Sequence, residues 1–394
     1  MQLLSDRILN MATSATLAMA AKARELRTEG KDIIGLSLGE PDFNTPDFIK
    51  EAAIQAINDN YNSYSPVDGY VDLKQAIITK FKRDNGLNYS PNQIVVSTGA
   101  KQSLANIAAV LTNKGDEVIL PCPYWVSYAD LIKLNDGVPV EVKTTIATDF
   151  KMTPGQLRAA ITPKTKMLWF SSPCNPSGSI YNKEELRALA DVLTNYPDIY
   201  VVSDEIYEHI NYVGGHASMA QFDDMYERTI TVNGVSKAFA MTGWRIGYIG
   251  APDKIARACN KMQGQITSGA NCIAQRATIT ALMESPSRVQ YMIDEFKIRR
   301  DLILGLLNEI EGFKTNVPEG AFYVFPNISY FFGKTLKGRT INNASDFSMY
   351  LLEEALVATV DGESFGNPDC IRISYAASQE QIVEAIKRIK EAIC

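Results

Sequence analysis

Short β-branched runs alternate with helical patterns between about residue 90 and residue 250, and this alternation limits the possible folds more than any other feature of the chain. Strands are predicted at QIVVST, DEVILP, TKMLWFSS, IYVVSDEIY and TITVNGV. Helices are predicted at AKQSLANIAAVLTN, VSYADLIKL and KEELRALADVLTN. Parallel strands need crossover connections, which are usually helices. The sequence therefore predicts an α/β fold with a mostly parallel sheet and helices on both faces.

The pattern changes after about residue 290 to long helices and short strands, which is typical of an α+β unit. The last helix is predicted to begin with a capping box formed by Ser378 and Gln381. Its apolar stripe, which indicates a packed face, comprises Ile382, Ile386, Ile389 and Ile393. We expect an N-terminal arm and part of a small domain over residues 1–45, a large domain over 46–288 and a small C-terminal domain over 289–394.

The composition argues against several classes of protein. A formal net charge of −6 over 394 residues disfavours nucleic acid and anionic membranes as partners. Two histidines and six widely spaced cysteines, ending at Cys394, lack the spacing of a zinc site. The N-terminal segment suits neither a signal peptide nor a membrane span, so we expect a cytoplasmic protein with reduced cysteines. A dinucleotide-binding glycine motif is missing, which argues against a nicotinamide-dependent dehydrogenase.

Charged side chains follow two predicted strands that are consecutive in the sequence. Asp204 ends the first strand, and Lys237 follows the second in a run of small, apolar and aromatic residues that also contains Arg245. A lysine in apolar surroundings has a lowered pKa, and its neutral amine attacks carbonyl carbons. Two other interpretations stay open at this point: Asp204 caps the next helix or meets a surface lysine, and Lys237 extends to solvent.

The stretch STGAKQ supplies a third element of a site. Gly99 and Ala100 precede a helix whose first free N–H groups and positive dipole end can hold a phosphate. An aldehyde to react with Lys237, a ring nitrogen to face Asp204 and a phosphate to face Arg245 occur together in pyridoxal phosphate. The pattern therefore favours this cofactor.

The sequence resembles the fold type I aminotransferases, and in particular the class I aspartate aminotransferase family, over nearly its whole length. The matching segments are LSLGEPDFNTP, YSPVDGYVDLKQAI, STGAKQ, PCPYWVSY, SSPCNPSG, VSDEIYEHI, VSKAFAMTGWRIGY, GAFYVF and IRISYA. The run AFAMTGWRIGY, with a lysine after STGA, is most similar to the bacterial subgroup Ib. The resemblance implies a mostly parallel mixed sheet sandwiched by helices, with a smaller α+β domain.

The resemblance also implies a role for each matching residue around pyridoxal phosphate. Lys237 is expected to form the internal Schiff base and then to act as general base, and Asp204 is expected to keep the pyridine nitrogen protonated. The other cofactor-binding residues are expected to hold the phenolic oxygen (Tyr207 and Asn175), the ring face (Trp125) and the phosphate (Gly99, Ala100, Lys101, Ser236 and Arg245). Tyr64 matches a tyrosine that reaches the phosphate from a neighbouring subunit, which implies a homodimer with shared active sites.

Substrate contacts follow from the same resemblance. Arg372 is expected to bind the α-carboxylate, with Gly39, Asn175 and Trp125 beside it, and the peptide bond from Asn175 to Pro176 is expected to be cis. The carboxylate at the far end of the substrate is expected to meet Lys101, Ser14 and Thr16. For the two hydroxyls, helix capping is the open alternative.

The implied activity is transfer of the amino group of L-aspartate or L-glutamate to a 2-oxo acid such as 2-oxoglutarate, with ping-pong kinetics. An aminotransferase for aromatic or other neutral amino acids, or a C–S lyase on the same fold, is the alternative. Relatives that accept prephenate carry a basic residue where this chain has Ala12 and Thr13, which lowers the expected prephenate activity. A transcription regulator on this fold needs a DNA-binding domain before LGEPDF, and we do not expect one because this segment already begins at residue 38.

Overall fold

A seven-stranded sheet lies at the centre of the structure. The computed structural model describes residues 3–9 and 11–393, so Cys394 lies outside the described residues. The strands, with those of three smaller sheets, are β1 (Ile34–Gly35), β2 (Ile94–Thr98), β3 (Glu117–Cys122), β4 (Val138–Lys143), β5 (Thr165–Ser171), β6 (Tyr200–Asp204), β7 (Thr229–Gly234), β8 (Ile246–Gly250), β9 (Tyr323–Val324), β10 (Thr335–Leu336), β11 (Arg339–Thr340), β12 (Val357–Ala358), β13 (Val360–Asp361) and β14 (Ile371–Ser374).

Helices connect these strands. They are α1 (Asp6–Leu9), α2 (Ala15–Thr28), α3 (Asp47–Asn58), α4 (Val71–Asn85), α5 (Ala100–Leu111), α6 (Ser127–Lys133), α7 (Pro154–Ala160), α8 (Lys183–Leu193), α9 (Asp223–Tyr226), α10 (Asp253–Gly264), α11 (Cys272–Met283), α12 (Gln290–Asn308), α13 (Ala344–Glu354) and α14 (Gln379–Ile393). None of the helices in the described part of the chain has the length and apolarity that crossing a bilayer requires.

The predicted α/β fold with a mostly parallel mixed sheet is confirmed. The strands of the central sheet lie in the spatial order β2-β8-β7-β6-β5-β3-β4. All neighbours from β7 to β4 in this order are parallel, whereas β8 lies antiparallel to both β2 and β7. Every residue of β7 and β8 is buried, as expected for strands covered on both faces. The carboxyl ends of β5, β6 and β7 meet at one edge of the sheet, which is where ligands of such folds bind.

Segments from both ends of the chain pack together beside this sheet. Strand β1 pairs in parallel with β12, and β14 lies between β13 and β9 in an antiparallel sheet. One apolar cluster joins residues of β1, α12, α13, β14 and α14. This arrangement brings the N-terminal segment against the C-terminal unit. The division into residues 1–45, 46–288 and 289–394 stays a prediction.

Helix α14 has the cap and the buried face that its sequence predicts. The backbone N–H of Gln381 donates to Ser378 Oγ, and the backbone N–H of Ser378 donates to Gln381 Oε1. Ile382, Ile386 and Ile389 are buried, and Ile393 packs partly against the same core.

A buried network of charges anchors the loop after β6 to α4. The Lys80 ammonium pairs with Glu208, whose other carboxylate oxygen accepts a hydrogen bond from Asn85 at 2.6 Å. Nearby, His216 Nε2 lies 3.0 Å from the buried Glu205 carboxylate. Burial raises the pKa of Glu208, but the neighbouring cations outweigh it and hold the pKa at about 2. Buried ion pairs at Glu205 and Glu208 therefore hold the loop that follows Asp204 in place.

We predict that Ile386→Ala destabilises the protein far more than Val383→Ala on the same helix. Ile386 is 2% exposed and Val383 is 44% exposed. Removing the buried side chain should lower the free energy of unfolding by about 2–5 kcal/mol, and trimming the exposed one by about 0.5 kcal/mol or less. Urea denaturation followed by circular dichroism measures both changes. Equal losses for the two variants would contradict the packing of α14.

Candidate active site

A cavity of about 590 Å³ opens at the carboxyl ends of β5, β6 and β7. This volume lies within the range of small-molecule sites. The predicted site residues that line it are Ser14, Thr16, Gly39, Ala100, Lys101, Trp125, Asn175, Asp204, Tyr207, Ser236, Lys237, Arg245 and Arg372. Gly99 lies directly beside it, against Arg245. Tyr64 does not line it. The structure thus brings together residues from the beginning, middle and end of the chain.

Asp204 lies at the end of β6 and is 4% exposed. Its carboxylate accepts a hydrogen bond from the Tyr128 hydroxyl at 2.7 Å and one from the backbone N–H of Ile206 at 3.2 Å. Burial raises the pKa of Asp204 to about 6, although both hydrogen bonds oppose the rise. No cation lies within ion-pair distance of this carboxylate in the described part of the chain. A cationic group from a ligand would stabilise its charged form.

Lys237 follows β7, the strand next to β6, and its amine donates a hydrogen bond to the carbonyl oxygen of Gly39 at 2.6 Å. Burial lowers the pKa of Lys237 to about 8. The guanidinium groups of Arg372 and Arg245 contribute to this lowered pKa, while the carboxylates of Glu40 and Asp204 oppose it. A substantial fraction of the amine is therefore neutral near pH 8 and able to attack a carbonyl carbon.

Arg245 approaches the beginning of α5 closely. It adopts a left-handed backbone conformation with φ of 58°, and its guanidinium donates to the carbonyl oxygen of Thr242 at 2.9 Å. A Cβ at Gly99 would clash with this guanidinium, and a Cβ at Gly247 would clash with the backbone nitrogen of Ala100. No side chain caps α5, and its first turn carries no acid. Free N–H groups and a guanidinium therefore face one point, as an anion site requires.

Arg372 is 1% exposed, and β14 carries it into the cavity from the C-terminal unit. Its guanidinium donates to Asn175 Oδ1 at 2.9 Å and to the carbonyl oxygen of Ser37 at 2.6 Å, while its Nε is buried without a partner. It also lies over the rings of Tyr323 and Phe365. Burial lowers the pKa of Arg372, yet the group keeps its charge. A buried cation without a carboxylate partner suits an anionic ligand.

Two tyrosines, Tyr207 and Tyr323, line the cavity together. The hydroxyl groups of Tyr207 and Tyr323 are 2.7 Å apart and share a hydrogen bond. The peptide bond between Asn175 and Pro176 is cis, as expected. Arg372 contacts both Asn175 and the Tyr323 ring, so the three side chains form one connected group at the wall of the cavity.

Helix α2 forms a separate wall of the cavity through Ser14, Thr16, Leu17 and Arg24. Ser14 is the residue before the first turn of α2, but its side chain makes no capping hydrogen bond. Thr16 Oγ1 is buried without a partner. The capping interpretation of these hydroxyls is therefore wrong for Ser14, and the Thr16 hydroxyl is available to a ligand.

Lys101 and Trp125 lie on another wall. The Lys101 ammonium is 4.8 Å from the centre of the Trp125 ring, and burial together with Arg245 lowers the pKa of Lys101. The Trp125 ring packs edge-on against Tyr128, the residue that donates to Asp204. The aromatic group therefore links the open cavity to the buried carboxylate.

Several residues that line the cavity had no role assigned from the sequence, and those with charged or phenolic side chains are Arg24, Glu40, Tyr128 and Tyr323. Glu40, Tyr128 and Tyr323 lie inside segments that carry the family resemblance, whereas Arg24 lies outside them. Tyr323 follows Phe322 in GAFYVF, and Tyr128 ends PCPYWVSY. Aromatic residues in such segments usually pack in a core. Only the tertiary contacts show that Tyr128 and Tyr323 hydrogen-bond to predicted site residues.

We predict that Lys237, in protein freed of any bound small molecule, becomes reactive near pH 8. The neutral amine is the nucleophile, so acetylation by acetic anhydride should rise through a midpoint near pH 8, well below the ordinary lysine midpoint of about 10.4. Peptide mass spectrometry after brief labelling at each pH measures the yield at Lys237, and surface lysines in the same digest are the control. A midpoint that coincides with theirs would contradict the desolvated environment.

Comparison with known proteins agrees with this geometry. The family model for aminotransferase class I and II matches residues 31–389. A probable aspartate/prephenate aminotransferase of Rhizobium leguminosarum bv. phaseoli is 47% identical, covering 99% of this chain and 98% of that protein. A bifunctional aspartate aminotransferase and glutamate/aspartate-prephenate aminotransferase of Petunia hybrida is 45% identical, covering 99% of this chain and 82% of that protein.

Solved structures give the same result. An aspartate aminotransferase from Rhizobium meliloti has a TM-score of 0.96 at 42% identity, covering 100% of this chain and 99% of that one. The aspartate aminotransferase from Thermus thermophilus with maleate has a TM-score of 0.93 at 42% identity over the whole of both chains. The resemblance inferred from the sequence is confirmed, and the chain belongs to the aminotransferase class I and II family.

Proposed function

We propose that this protein is a pyridoxal-phosphate-dependent aminotransferase that moves the amino group of L-aspartate or L-glutamate to a 2-oxo acid such as 2-oxoglutarate. One observation carries the proposal. Asp204, Lys237, Arg245 and Arg372 converge on a single cavity, and none of them has an ion-pair partner among the residues that the structure describes. Charges arranged in this way need a ligand of complementary charge.

The residues present fit pyridoxal phosphate. The uncapped N-terminus of α5, together with Ser236 and Arg245, offers donors for a phosphate, and the buried Asp204 carboxylate offers a partner for a protonated ring nitrogen. Lys237 offers an amine with a lowered pKa for an aldehyde. Once bound, this cofactor supplies a carbon that takes up the amino group and a ring that accepts the electrons of a breaking Cα–H bond.

Each remaining residue then has a definable task. Trp125 lines the cavity and presents an aromatic ring to a bound ligand. Tyr207, held by Tyr323, presents a hydroxyl whose position is fixed by the hydrogen bond between them. The free Lys237 amine would take a proton from the substrate Cα, because its pKa of about 8 lies close to neutral pH.

The substrate's α-carboxylate is proposed to bind Arg372. The guanidinium is buried, and Asn175 and Ser37 fix its orientation, so a planar carboxylate can take two parallel hydrogen bonds from it. Gly39 allows close approach on the same side, since a Cβ there would collide with the Tyr323 hydroxyl. The amino acid is therefore held at one end by a preformed clamp.

A second carboxylate is proposed to bind between the α2 wall and Lys101. The unpaired Thr16 hydroxyl, Ser14 and the Lys101 ammonium line this part of the cavity. This set of donors favours dicarboxylic substrates over neutral ones. The names of the relatives support the same choice, and the Thermus relative was solved with maleate, a dicarboxylate. The names aspartate/prephenate aminotransferase also support prephenate as a further acceptor, although Ala12 and Thr13 are not basic.

A homodimer with shared active sites is part of the proposal. Tyr64 is 98% exposed and does not contact its own cavity. Helices α3, α4 and α11 and the segment after α10 also carry exposed apolar side chains, which comprise Ile54, Ile57, Val71, Ile266 and Met283. An apolar surface of this kind suits a second copy of the chain. A cytoplasmic location is proposed because the five described cysteines are unpaired.

We predict a strong preference for L-aspartate and L-glutamate over L-alanine and L-phenylalanine as amino donors to 2-oxoglutarate. Charge-assisted hydrogen bonds to the second carboxylate should raise kcat/KM for aspartate over alanine by about 10²-fold. Thr16→Val should reduce this ratio without affecting alanine. Thr28→Val, at the other end of the same helix, is the control. Steady-state assays with each donor measure the ratios.

The same assays separate the competing functions. Lys237→Ala should lower activity by about 10⁴-fold and remove the visible absorbance of the purified enzyme. Turnover of phenylalanine with none of aspartate would overturn the substrate assignment. Release of a thiol or of sulfide from a sulfur amino acid as the main reaction would favour a C–S lyase instead.

We predict that Tyr64→Phe weakens cofactor retention although Tyr64 lies outside its own cavity. Loss of one hydrogen bond to a charged phosphate should raise the cofactor dissociation constant by about 10-fold or more. Equilibrium dialysis measures this constant. Tyr330→Phe, which removes another exposed hydroxyl that bonds to Glu311, is the control. Light scattering should give twice the mass of one chain, and a monomer that retains the cofactor would contradict the shared site.

A further inference from the structure

Helix α2 contributes one charged side chain, Arg24, to the lining of the cavity. The buried face of the helix is formed by Met19, Ala20, Ala23 and Leu26, which pack against the C-terminal unit. Arg24 lies off this face and is exposed. Its side chain therefore faces the cavity rather than the core.

The geometry of a helix places Arg24 in line with Leu17, which also lines the cavity. Seven residues correspond to almost two full turns, so the two side chains share a stripe, with about 10 Å between them along the axis. Helical side chains lean toward the N-terminus of the helix. The Arg24 guanidinium is therefore directed back toward the part of the cavity formed by Leu17 and Thr16.

The charges of the cavity leave Arg24 without a partner. Asp204, Lys237 and Arg245 face the proposed cofactor, and Arg372 faces the α-carboxylate. Arg24 forms no ion pair within 4.0 Å in the described part of the chain, and this includes Glu40 on the same cavity. An arginine at the edge of a substrate cavity, with its planar donor fork free, is suited to a carboxylate.

We propose that Arg24 forms the outer part of the site for the second carboxylate and selects dicarboxylic amino acids by length. Thr16 and Ser14 at the beginning of α2 hold the carboxylate of a four-carbon substrate. A longer substrate extends its carboxylate along the Leu17–Arg24 stripe and reaches the guanidinium. This inference rests on the proposed aminotransferase function and assigns Arg24 a role in specificity, not in the chemical step.

The test compares the holoenzyme with its Arg24→Gln variant on a series of amino donors. L-Alanine, L-aspartate, L-glutamate and L-2-aminoadipate carry three to six carbons, and mixing each with holoenzyme changes the visible spectrum in a single half-reaction. The apparent dissociation constant should change by less than about twofold for alanine and aspartate, and should rise about 5- to 20-fold for glutamate and 2-aminoadipate. Arg24→Lys should restore part of the loss, because it keeps the charge without the fork.

Lys22→Gln is the matched control, since it removes a cation from the same helix at a residue that pairs with Glu25 and does not line the cavity. It should leave all four constants unchanged. An equal change for all four donors in Arg24→Gln, or no change for the two long ones, would overturn the inference while leaving the function intact. If the wild-type spectrum does not respond to aspartate or glutamate, the proposed function itself fails.

Discussion

The site depends on the removal of a carboxylate and an amine from water at the ends of two neighbouring strands. Asp204 ends β6, and Lys237 follows β7, so strand pairing alone brings them to the same edge of the sheet. Burial raises the pKa of the carboxyl group and lowers that of the amine. Both shifts disfavour charge, and the protein supplies neither group with an ion-pair partner in the part that the structure describes. A ligand that offers a cationic group to Asp204 and an aldehyde to Lys237 would therefore be stabilised by both residues.

The surroundings of this pair explain how the rest of the chain supports it. Ion pairs among buried groups such as Lys80 and Glu208 fix the loop after β6 from behind. Glycines at positions 99 and 247 allow the N-terminus of α5 and the Arg245 guanidinium to approach each other. Arg372 then joins three distant parts of the sequence, because it donates to Ser37 and to Asn175 from a strand of the C-terminal unit. A substrate carboxylate bound there would contact all three parts together.

The fold class and the position of the site could be predicted because both depend on local sequence patterns. Alternating strand and helix patterns indicated the α/β class, and consecutive strands brought Asp204 and Lys237 to one edge. Strand β4 was not predicted, because the edge position leaves VPVEVK only partly buried. Strand β8 and its antiparallel direction were also not predicted, since two of its five residues are glycines, which are depleted in strands. Tyr323 and Arg24 were not assigned because their roles depend on contacts between segments far apart in sequence, which no local pattern records.

The central claim is that Lys237 is the residue to which a cofactor aldehyde binds, opposite the buried Asp204. Borohydride reduction of the purified holoenzyme, followed by peptide mass spectrometry, tests it most directly. We expect a phosphopyridoxyl group on the peptide that contains Lys237, and a greatly reduced yield of this label in Asp204→Ala because the ring loses its anionic partner. A label on another lysine, or no label in protein that had been saturated with pyridoxal phosphate, would contradict it.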